Sequence, residues 1–301
     1  MTVLTKTLYS IFPGIKALGC CHEVFGTQKL LIDMLEDMGV SKDAKRHDIK
    51  VNVLGINHFT WIDKATYRNI DLIPIYEKFV DKYYESGYSK EGEWNKTIFS
   101  SGSRVKFDLF RQYGIIAAAG DRHLAENCPG WYLKNPKTAR SWQFSLTPVS
   151  WRKKDLIERI EKTMRIYNGS EKPVLRDTGE EGVAMLKALK GLGSIRTNVN
   201  TINRGQHEGL PLGAVVETNA VFSKEGIKPV DAGRLPADIE NLVLRQVKNQ
   251  ESLVKACLDQ DRKGVQNVFI NDPLVHLKKQ DAVKLFDEMF EKNKAFFERE
   301  L

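Results

Sequence analysis

The fold is decided by residues 15–39, Ile15-Lys-Ala-Leu-Gly-Cys-Cys-His-Glu-Val-Phe-Gly-Thr-Gln-Lys-Leu-Leu-Ile-Asp-Met-Leu-Glu-Asp-Met-Gly39, where a predicted strand gives way to an amphipathic helix. Residues 15–19 are a short apolar run closed by a glycine, which is typical of a strand. From Gly26 onward apolar residues recur every three or four positions, and Gly39 ends that helical pattern. Ligands of α/β proteins usually bind where a strand ends and a helix begins, so residues 19–28 are a candidate site.

Hydrophobic periodicity predicts the elements around this junction. A helical stripe of Val3, Leu4, Leu8 and Phe12 precedes it, and a hairpin or bent strand pair follows over 48–54 and 59–62. The later chain is mostly helical, with two strand-like stretches at 194–203 and 214–222. The predicted helices cover residues 71–86, 104–114, 152–167, 178–190, 236–260, 263–270 and 279–299.

Composition describes a folded protein and excludes several classes. The 301 residues are 42% hydrophobic and 28% charged, which excludes a disordered or collagen-like chain. The net charge of +7 is scattered and no nucleic-acid-binding motif accompanies it, so we expect no nucleic-acid partner. Cys20, Cys21, Cys128 and Cys257 are too few for a disulfide framework. No signal-peptide pattern or long apolar run occurs, so we expect a cytoplasmic protein with no membrane partner.

Three segments combine side chains that can do chemistry. Residues 19–28 place a thiol, an imidazole and a carboxylate side by side, and residues 55–61 bring a second imidazole to a strand end. Residues 117–126 open with small side chains, which permit close approach to a ligand, and continue with an ionisable cluster. The candidate residues are Cys21, His22, Glu23, Asn57, His58, Asp121, Arg122 and His123.

Each candidate also has a purely structural interpretation. Cys21 could be a small buried hydrophobe, and His58, next to two aromatic residues, could be a hydrogen-bonded core histidine. Asp121 could cap the helix that follows it. His207, in the turn-rich stretch 204–213, could be exposed and inert. A functional interpretation therefore depends on the segments taken together.

Together, the segments resemble glycoside hydrolase family 4 in that family's own order, over essentially all 301 residues. The Cys-His-Glu-Val motif is similar to the α-galacturonidase branch, with α-glucosidases and α-galactosidases as neighbouring branches. The resemblance rests on Cys21-His-Glu-Val24, Gly55-Ile-Asn-His-Phe-Thr-Trp61, the motif from Asn203-Arg-Gly205 to Glu217, Gly233-Arg-Leu-Pro236 and Asn271-Asp-Pro273.

This resemblance implies NAD and a divalent metal, usually manganese, as cofactors. Family members begin with a Gly-rich dinucleotide-binding unit, and no G-x-G-x-x-G pattern occurs in the first third of this chain. We therefore expect residues 1–50 to be the last strand and helices of a Rossmann-like domain, with about 150 further residues upstream. Residues 51–301 would form the catalytic and substrate domain, an α/β (α+β) unit of the lactate/malate dehydrogenase-like type, mostly helical with a small antiparallel sheet.

The resemblance also implies a metal bound by Cys21 and His58. A thiolate and one imidazole leave coordination positions open for two sugar hydroxyls. If the two residues share one ion, their donor atoms should lie within about 4 Å of each other. Cys20, one position earlier on the predicted strand, should then point into the core.

The remaining roles follow from the family chemistry, in which NAD oxidises C3 of the sugar and a base removes the C2 proton. Asp121 is implied as that base, and His22 or Glu23 as the acid that assists the leaving glycosidic oxygen. Water then adds and C3 is reduced again. Asn57 is expected to bind a sugar hydroxyl or the metal's water. Contacts to a uronate carboxylate are expected from Arg122 and His123.

Two function classes stay open at this stage. One is an enzyme that cleaves an α-galacturonide, with an α-glucosidase or α-galactosidase of the same family as the alternative. The other is a non-catalytic C-terminal fragment that lacks the NAD site. A dehydrogenase relative is a third interpretation, which the Cys–His pair disfavours. The expected partners are a small carbohydrate and further copies of the chain, in a homodimer or homotetramer.

Overall fold

The structure is a computed structural model that describes residues 1–90, 92–175 and 179–296. Its helices are α1 (Thr2–Ile11), α2 (Glu23–Asp37), α3 (Ile73–Tyr83), α4 (Arg104–Tyr113), α5 (Asp121–Asn127), α6 (Pro136–Ser141), α7 (Val149–Tyr167), α8 (Gly182–Leu189), α9 (Ala237–Leu258), α10 (Arg262–Ile270) and α11 (Lys279–Asn293). Its strands are β1 (Ile49–Ile56), β2 (Phe59–Tyr67), β3 (Ile70–Asp71), β4 (Ile116–Ala117), β5 (Ile195–Ile202), β6 (His207–Glu208), β7 (Val215–Ser223), β8 (Gly226–Pro229) and β9 (Gly233–Arg234).

The strands form small, mainly antiparallel sheets. The first sheet has the order β1-β2-β3, with β4 also paired to β2, and the second has the order β5-β7-β8. A parallel pair, β6 with β9, stands apart from both. This arrangement confirms the predicted mixed class of helices with a small antiparallel sheet. No helix among the described residues is long and apolar enough to cross a membrane.

The hairpin of β1 and β2 lies at the centre of the core. Val53 pairs with Ile62, and their side chains pack on one face against α2 and α3. Leu54 pairs with Trp61, and these side chains pack on the opposite face against α9. All four side chains are fully buried. Because burial of each such side chain stabilises the fold by roughly 1.5–3 kcal/mol, the hairpin is a rigid support for its own turn.

That turn has two residues, Asn57 and His58, between the paired residues Ile56 and Phe59. Gly55 precedes it with a φ of 117°, and a Cβ at Gly55 would lie 2.5 Å from the carbonyl oxygen of Phe59. His58 itself has a left-handed backbone with a φ of 67°. Only glycine fits at position 55, whereas the left-handed histidine is a strained conformation of the kind found at functional sites.

Most predicted elements are confirmed, with shifted ends. The helix predicted over 178–190 begins at Gly182, and the one over 279–299 ends at Asn293. Residue 178 and residues 297–299 lie outside the described part of the chain. The short helix α6 was not predicted.

One prediction about the fold is wrong, and the alternative that His207 is exposed does not hold. The strand expected over residues 15–19 is a single bridge in which Gly19 and Asn200 exchange backbone hydrogen bonds of 2.9 and 2.8 Å. His207 is buried, because β6 pairs with β9 and its Nδ1 lies 2.8 Å from the carbonyl oxygen of Glu208. The division into two domains stays a prediction, and its boundary after residue 50 falls within β1.

Gly55→Ala tests the constraint at the turn. The new Cβ meets backbone and the φ is positive, so we expect the free energy of unfolding to fall by about 2–4 kcal/mol in urea titrations. Gly26→Ala is the control: Gly26 lies in α2, where a Cβ would meet nothing within 4 Å. That change should raise the free energy of unfolding by about 0.5–1 kcal/mol. Equal effects of the two substitutions would contradict the proposed constraint.

Candidate metal and sugar site

Two segments from distant parts of the sequence meet at the candidate site. Cys21 lies between the Gly19–Asn200 bridge and α2, and Glu23 is the first residue of α2. His58 comes from the turn between β1 and β2. One donor atom of each of these three residues lies within 4.8 Å of those of the other two. The structure therefore brings together Cys21 and His58, the predicted metal ligands, and adds a carboxylate.

Glu23 is the most strongly perturbed acid of the cluster. Its side chain is 13% exposed, and its Oε1 lies 3.7 Å from His58 Nε2 and 3.3 Å from His123 Nε2. Burial raises the pKa of Glu23 to about 7, against the opposing charge of His123. Its other oxygen, Oε2, is buried without a hydrogen-bond partner. Glu23 can thus hold a proton near neutral pH, and one of its two carboxylate oxygens has no hydrogen-bond partner.

The rings of two histidines lie close together at the site, and their pKa values shift in opposite directions. The rings of His58 and His123 have centroids 4.0 Å apart. Burial and then the charge of His123 lower the pKa of His58 to about 4. Burial also opposes charge on His123, but its 2.8 Å contact with Glu126 and the charge of Glu23 raise its pKa. His58 is therefore neutral, as a metal ligand must be, beside a histidine that favours the charged form.

Cys21 is half-buried, and burial raises the pKa of its thiol, although a hydrogen bond from the backbone of Glu23 opposes the shift. Its carbonyl oxygen accepts a 3.2 Å hydrogen bond from Asn198 Nδ2.

The expectation that Cys20 points into the core is wrong. Cys20 is exposed, with its Sγ 3.9 Å from Met185 Sδ, because the chain here is not a strand with alternating faces.

A thiol, an imidazole and a carboxylate fit a divalent transition metal. Sulfur and imidazole donors favour such ions, and a carboxylate suits manganese in particular. The unpartnered Oε2 of Glu23 is the kind of buried acceptor that a cation would satisfy. On this chemistry Cys21 and His58 would hold the ion, and Glu23 lies close enough to be either a further oxygen ligand or the predicted acid. Glu23 was predicted as an acid, and its position also allows it to be a ligand.

A cleft of about 500 Å³ adjoins the cluster. His22 lies at its rim, with a side chain 71% exposed and Nδ1 3.0 Å from Glu180 Oε1. The guanidinium of Arg122 donates a 2.6 Å hydrogen bond to Thr147 Oγ1 and lies over the ring of Phe99. The candidates that line the cleft are His22, Glu23, Asp121, Arg122 and His123.

Asp121 is buried and held by backbone donors. Its carboxylate accepts hydrogen bonds of 3.4 and 3.2 Å from the N–H groups of Val105 and Lys106 in the first turn of α4. The carboxylate thus caps α4, and not the helix α5 that it begins. Burial raises the pKa of Asp121 to about 6, against the charge of Lys106. Its role as a base stays a prediction.

Asn57 does not line the cleft. Its Nδ2 donates a 3.1 Å hydrogen bond to Glu217 Oε2, and its Oδ1 accepts one from the amino group of Met1. A side-chain hydrogen bond from Asn57 also opposes the raised pKa of Cys21, so the amide lies beside the cluster. The expected contact with a sugar hydroxyl or the metal's water stays a prediction.

The sequence analysis missed Lys106. Its buried ammonium donates to Thr27 Oγ1 and to the carbonyls of Ala117 and Ala119, which fixes the segment leading to Asp121. Burial lowers the pKa of Lys106 to about 8. The available signal was its place among the apolar residues of α4, three positions before Leu109.

A larger cleft of about 920 Å³ lies between α2, β1 and β5 and contains none of the predicted site residues. Its lining includes Arg46, Lys50 and Arg196 but no cluster of thiol, imidazole and carboxylate. The larger cleft has His47 and Glu181 in its lining but no thiol, whereas the smaller cleft is lined by Glu23, which belongs to the cluster with Cys21 and His58. The smaller cleft is therefore the candidate site.

Comparison with known families agrees with this geometry. Residues 53–275 match the family 4 glycosyl hydrolase C-terminal domain, and residues 1–37 match the family 4 glycosyl hydrolase model. The C-terminal match alone covers most of the chain. The chain belongs to glycoside hydrolase family 4.

Individual relatives refine the comparison. An α-galacturonidase from Thermoanaerobacterium saccharolyticum is 57% identical over 301 residues, which are 99% of this chain and 65% of the relative. The crystal structure of the Bacillus subtilis protein lplD, assigned as a glucosidase, has 50% identity and a TM-score of 0.91, covering 96% of this chain and 66% of that one. The chain thus spans just under two thirds of the length of these relatives.

A more distant structure shares the fold. A 6-phospho-α-glucosidase from gut microorganisms, in complex with NAD and Mn²⁺, has a TM-score of 0.71 and 18% identity. The alignment covers 97% of this chain and 65% of that protein.

Glu23→Gln tests whether the buried carboxylate has a raised pKa. The measurement is the free energy of unfolding as a function of pH, with a chelator present so that no metal ion is bound. A folded-state pKa of about 7, raised above 4.5, stabilises the fold below pH 4.5, and that stabilisation is lost as the pH rises through 7. Between about pH 5 and pH 8 the variant should therefore gain about 1–3 kcal/mol relative to the parent in urea unfolding.

The opposite shift of His58 is present in both proteins, so the difference between them reports Glu23 together with the part of the His123 shift that the charge of Glu23 causes. Glu77→Gln, at an exposed glutamate of α3, serves as the control and should follow the parent at both pH values. If the free energy of unfolding of the parent and of the Glu23 variant changed equally with pH, the carboxylate would be ionised like any surface acid.

Proposed function

We propose that this chain carries the metal- and sugar-binding part of an α-galacturonidase. The observation that supports this proposal is the junction of Cys21, Glu23 and His58 beside a cleft lined by Arg122 and His123. The 57% identity to an α-galacturonidase supports the choice of substrate class. Because the chain spans 65% of that relative, the activity of the whole protein is itself part of the proposal.

The proposed cofactors are NAD and a divalent metal such as manganese. The metal is supported by the donor set, and both cofactors are supported by the fold shared with a protein solved in complex with NAD and Mn²⁺. A divalent ion at Cys21 and His58 would supply Lewis-acid polarisation of a sugar oxygen. We propose no NAD-binding residue on this chain.

The chain's own residues then orient the sugar and manage protons. Glu23, with a pKa of about 7, holds a proton beside the cleft that it can give to a leaving glycosidic oxygen. His123, held by Glu126 at Nδ1, directs Nε2 towards Glu23 and sets the charge around it. Asp121 and His22 remain the other candidates for proton transfer, the first buried and the second exposed.

Arg122 is the candidate for recognition of the uronate. One nitrogen of its guanidinium is engaged by Thr147, and the Phe99 ring supports its plane. A guanidinium held in this way is partly ordered before substrate binds, which reduces the entropic cost of pairing with a carboxylate.

Activity is tested by joining the chain to the part of the Thermoanaerobacterium saccharolyticum relative that lies outside the match. We expect the joined protein to release galacturonic acid from α-linked galacturonides when NAD⁺, Mn²⁺ and a reductant are present. Cys21→Ser should lower kcat/KM by about 100-fold or more, because a metal ligand is lost.

The chain alone should not cleave the galacturonide. Turnover by the chain alone without NAD⁺ would contradict the redox chemistry, and preference for a neutral hexoside would contradict the substrate class.

Arg122→Ala in the joined protein tests carboxylate recognition. The loss of one charged hydrogen-bonding group should reduce transition-state binding of a galacturonide by about 1.5–3 kcal/mol, measured from kcat/KM. A neutral galactoside should lose much less. Lys29→Ala is the control, because Lys29 is an exposed cation of the same cleft and should contribute less than about 1 kcal/mol. Equal losses for both substrates would assign Arg122 a structural role.

A further inference from the structure

Glu217 is a buried carboxylate that the chemistry above does not use. It lies in β7 directly opposite Asn200 of β5, and its side chain is 1% exposed. Among the described residues no lysine or arginine forms an ion pair with it. An uncompensated buried charge is costly, so its hydrogen bonds must account for its position.

Two different amides donate to this carboxylate. Asn198 Nδ2 donates to Oε1 at 2.6 Å, and Asn57 Nδ2 donates to Oε2 at 3.1 Å. Burial raises the pKa of Glu217, and both amides, together with that of Asn200, oppose that shift by stabilising the ionised form. The carboxylate therefore connects two side chains that come from different sheets.

Each amide leads to one of the two predicted metal ligands. Asn198 Nδ2 also donates to the carbonyl oxygen of Cys21 at 3.2 Å. Asn57 directly precedes His58 in the turn. Cys21 lies outside every helix and strand. The hairpin places the backbone of His58, in a left-handed conformation, but forms no hydrogen bond that orients its imidazole, so side-chain contacts are needed to bring the two donor groups to one point.

We propose that Glu217 is the positioning residue that holds Cys21 and His58 at a common distance from one metal ion. The inference rests on the proposed metal site. A carboxylate has two acceptor oxygens and no donor, so it can accept from both amides at once, whereas a glutamine of the same size cannot. This requirement explains the glutamate at the end of the motif that runs from Asn203 to Glu217.

The test is a titration of the metal-free chain with Co²⁺, followed by the visible and thiolate charge-transfer absorption. The parent chain should bind Co²⁺ with a thiolate band. Glu217→Gln replaces one acceptor by a donor, and the affinity should fall about 10- to 100-fold, as found when groups that orient metal ligands are lost. The wavelength or intensity of the bands at saturation should also change, since this signature reports coordination geometry and not stability.

Asn219→Ala is the matched control. Asn219 lies on the same strand, and its Nδ2 donates to the carbonyl oxygen of Val51 at 2.7 Å, so it connects the same two sheets without touching Glu217. This variant should be less stable than the parent, with unchanged Co²⁺ affinity and spectrum. If Asn219→Ala lost as much Co²⁺ affinity as the Glu217 variant, the effect would come from weaker packing between the two sheets, and the inference would be overturned.

Asn57→Ala provides a second variant in case Glu217→Gln does not fold. It breaks the connection on the side of His58 and also removes the hydrogen bond of Asn57 to Cys21, so its Co²⁺ affinity should also fall at least about tenfold. In the double variant the losses should not add, because both changes break one network. Parent-like affinity and spectrum in the folded variants would overturn the role of Glu217 while the metal site stands. Absence of a thiolate band in the parent would instead refute the metal site and the proposed function.

Discussion

The tight turn between β1 and β2 is the constraint on which the site depends. Its two residues are the shortest common connection between paired antiparallel strands, so the position of the turn is fixed. Gly55 must be a glycine because a Cβ would meet the backbone of Phe59. Both faces of the hairpin are buried, so helices on either side fix the direction in which the turn points. His58 is therefore placed by the core itself, and its strained backbone is tolerated because that core is strong.

Buried charge is the second constraint, and the protein meets it with hydrogen bonds more than with ion pairs. Lys106 donates to a hydroxyl and two carbonyls, Asp121 accepts from the first turn of α4, and Glu217 accepts from two amides. Each group also fixes a backbone segment close to the cluster. Loss of any one partner would leave a charged atom without compensation, which costs more than the bond itself contributes.

Periodicity predicted most helices and both long strand pairs, because those elements bury regular apolar faces. The prediction of a strand over residues 15–19 was wrong because a short apolar run does not reveal how many residues of a partner strand lie beside it. Cys21 and His58 could be named as ligands from the family resemblance, and the structure places them together. The roles of Lys106, Asn198 and Glu217 could not be predicted, because each depends on long-range contacts that no local pattern encodes.

The shifted pKa values of the cluster keep its net charge low. Burial raises the pKa of the Cys21 thiol and takes that of Glu23 to about 7, while the pKa of His58 falls to about 4. A half-buried pocket therefore avoids two adjacent anions when no cation is present. A divalent ion reverses this balance, since its ligands must be deprotonated before they can bind it. Metal binding and proton release are thus coupled. His123, whose pKa its carboxylate neighbours raise and whose Nε2 lies 3.3 Å from Glu23 Oε1, favours the ionised form of Glu23.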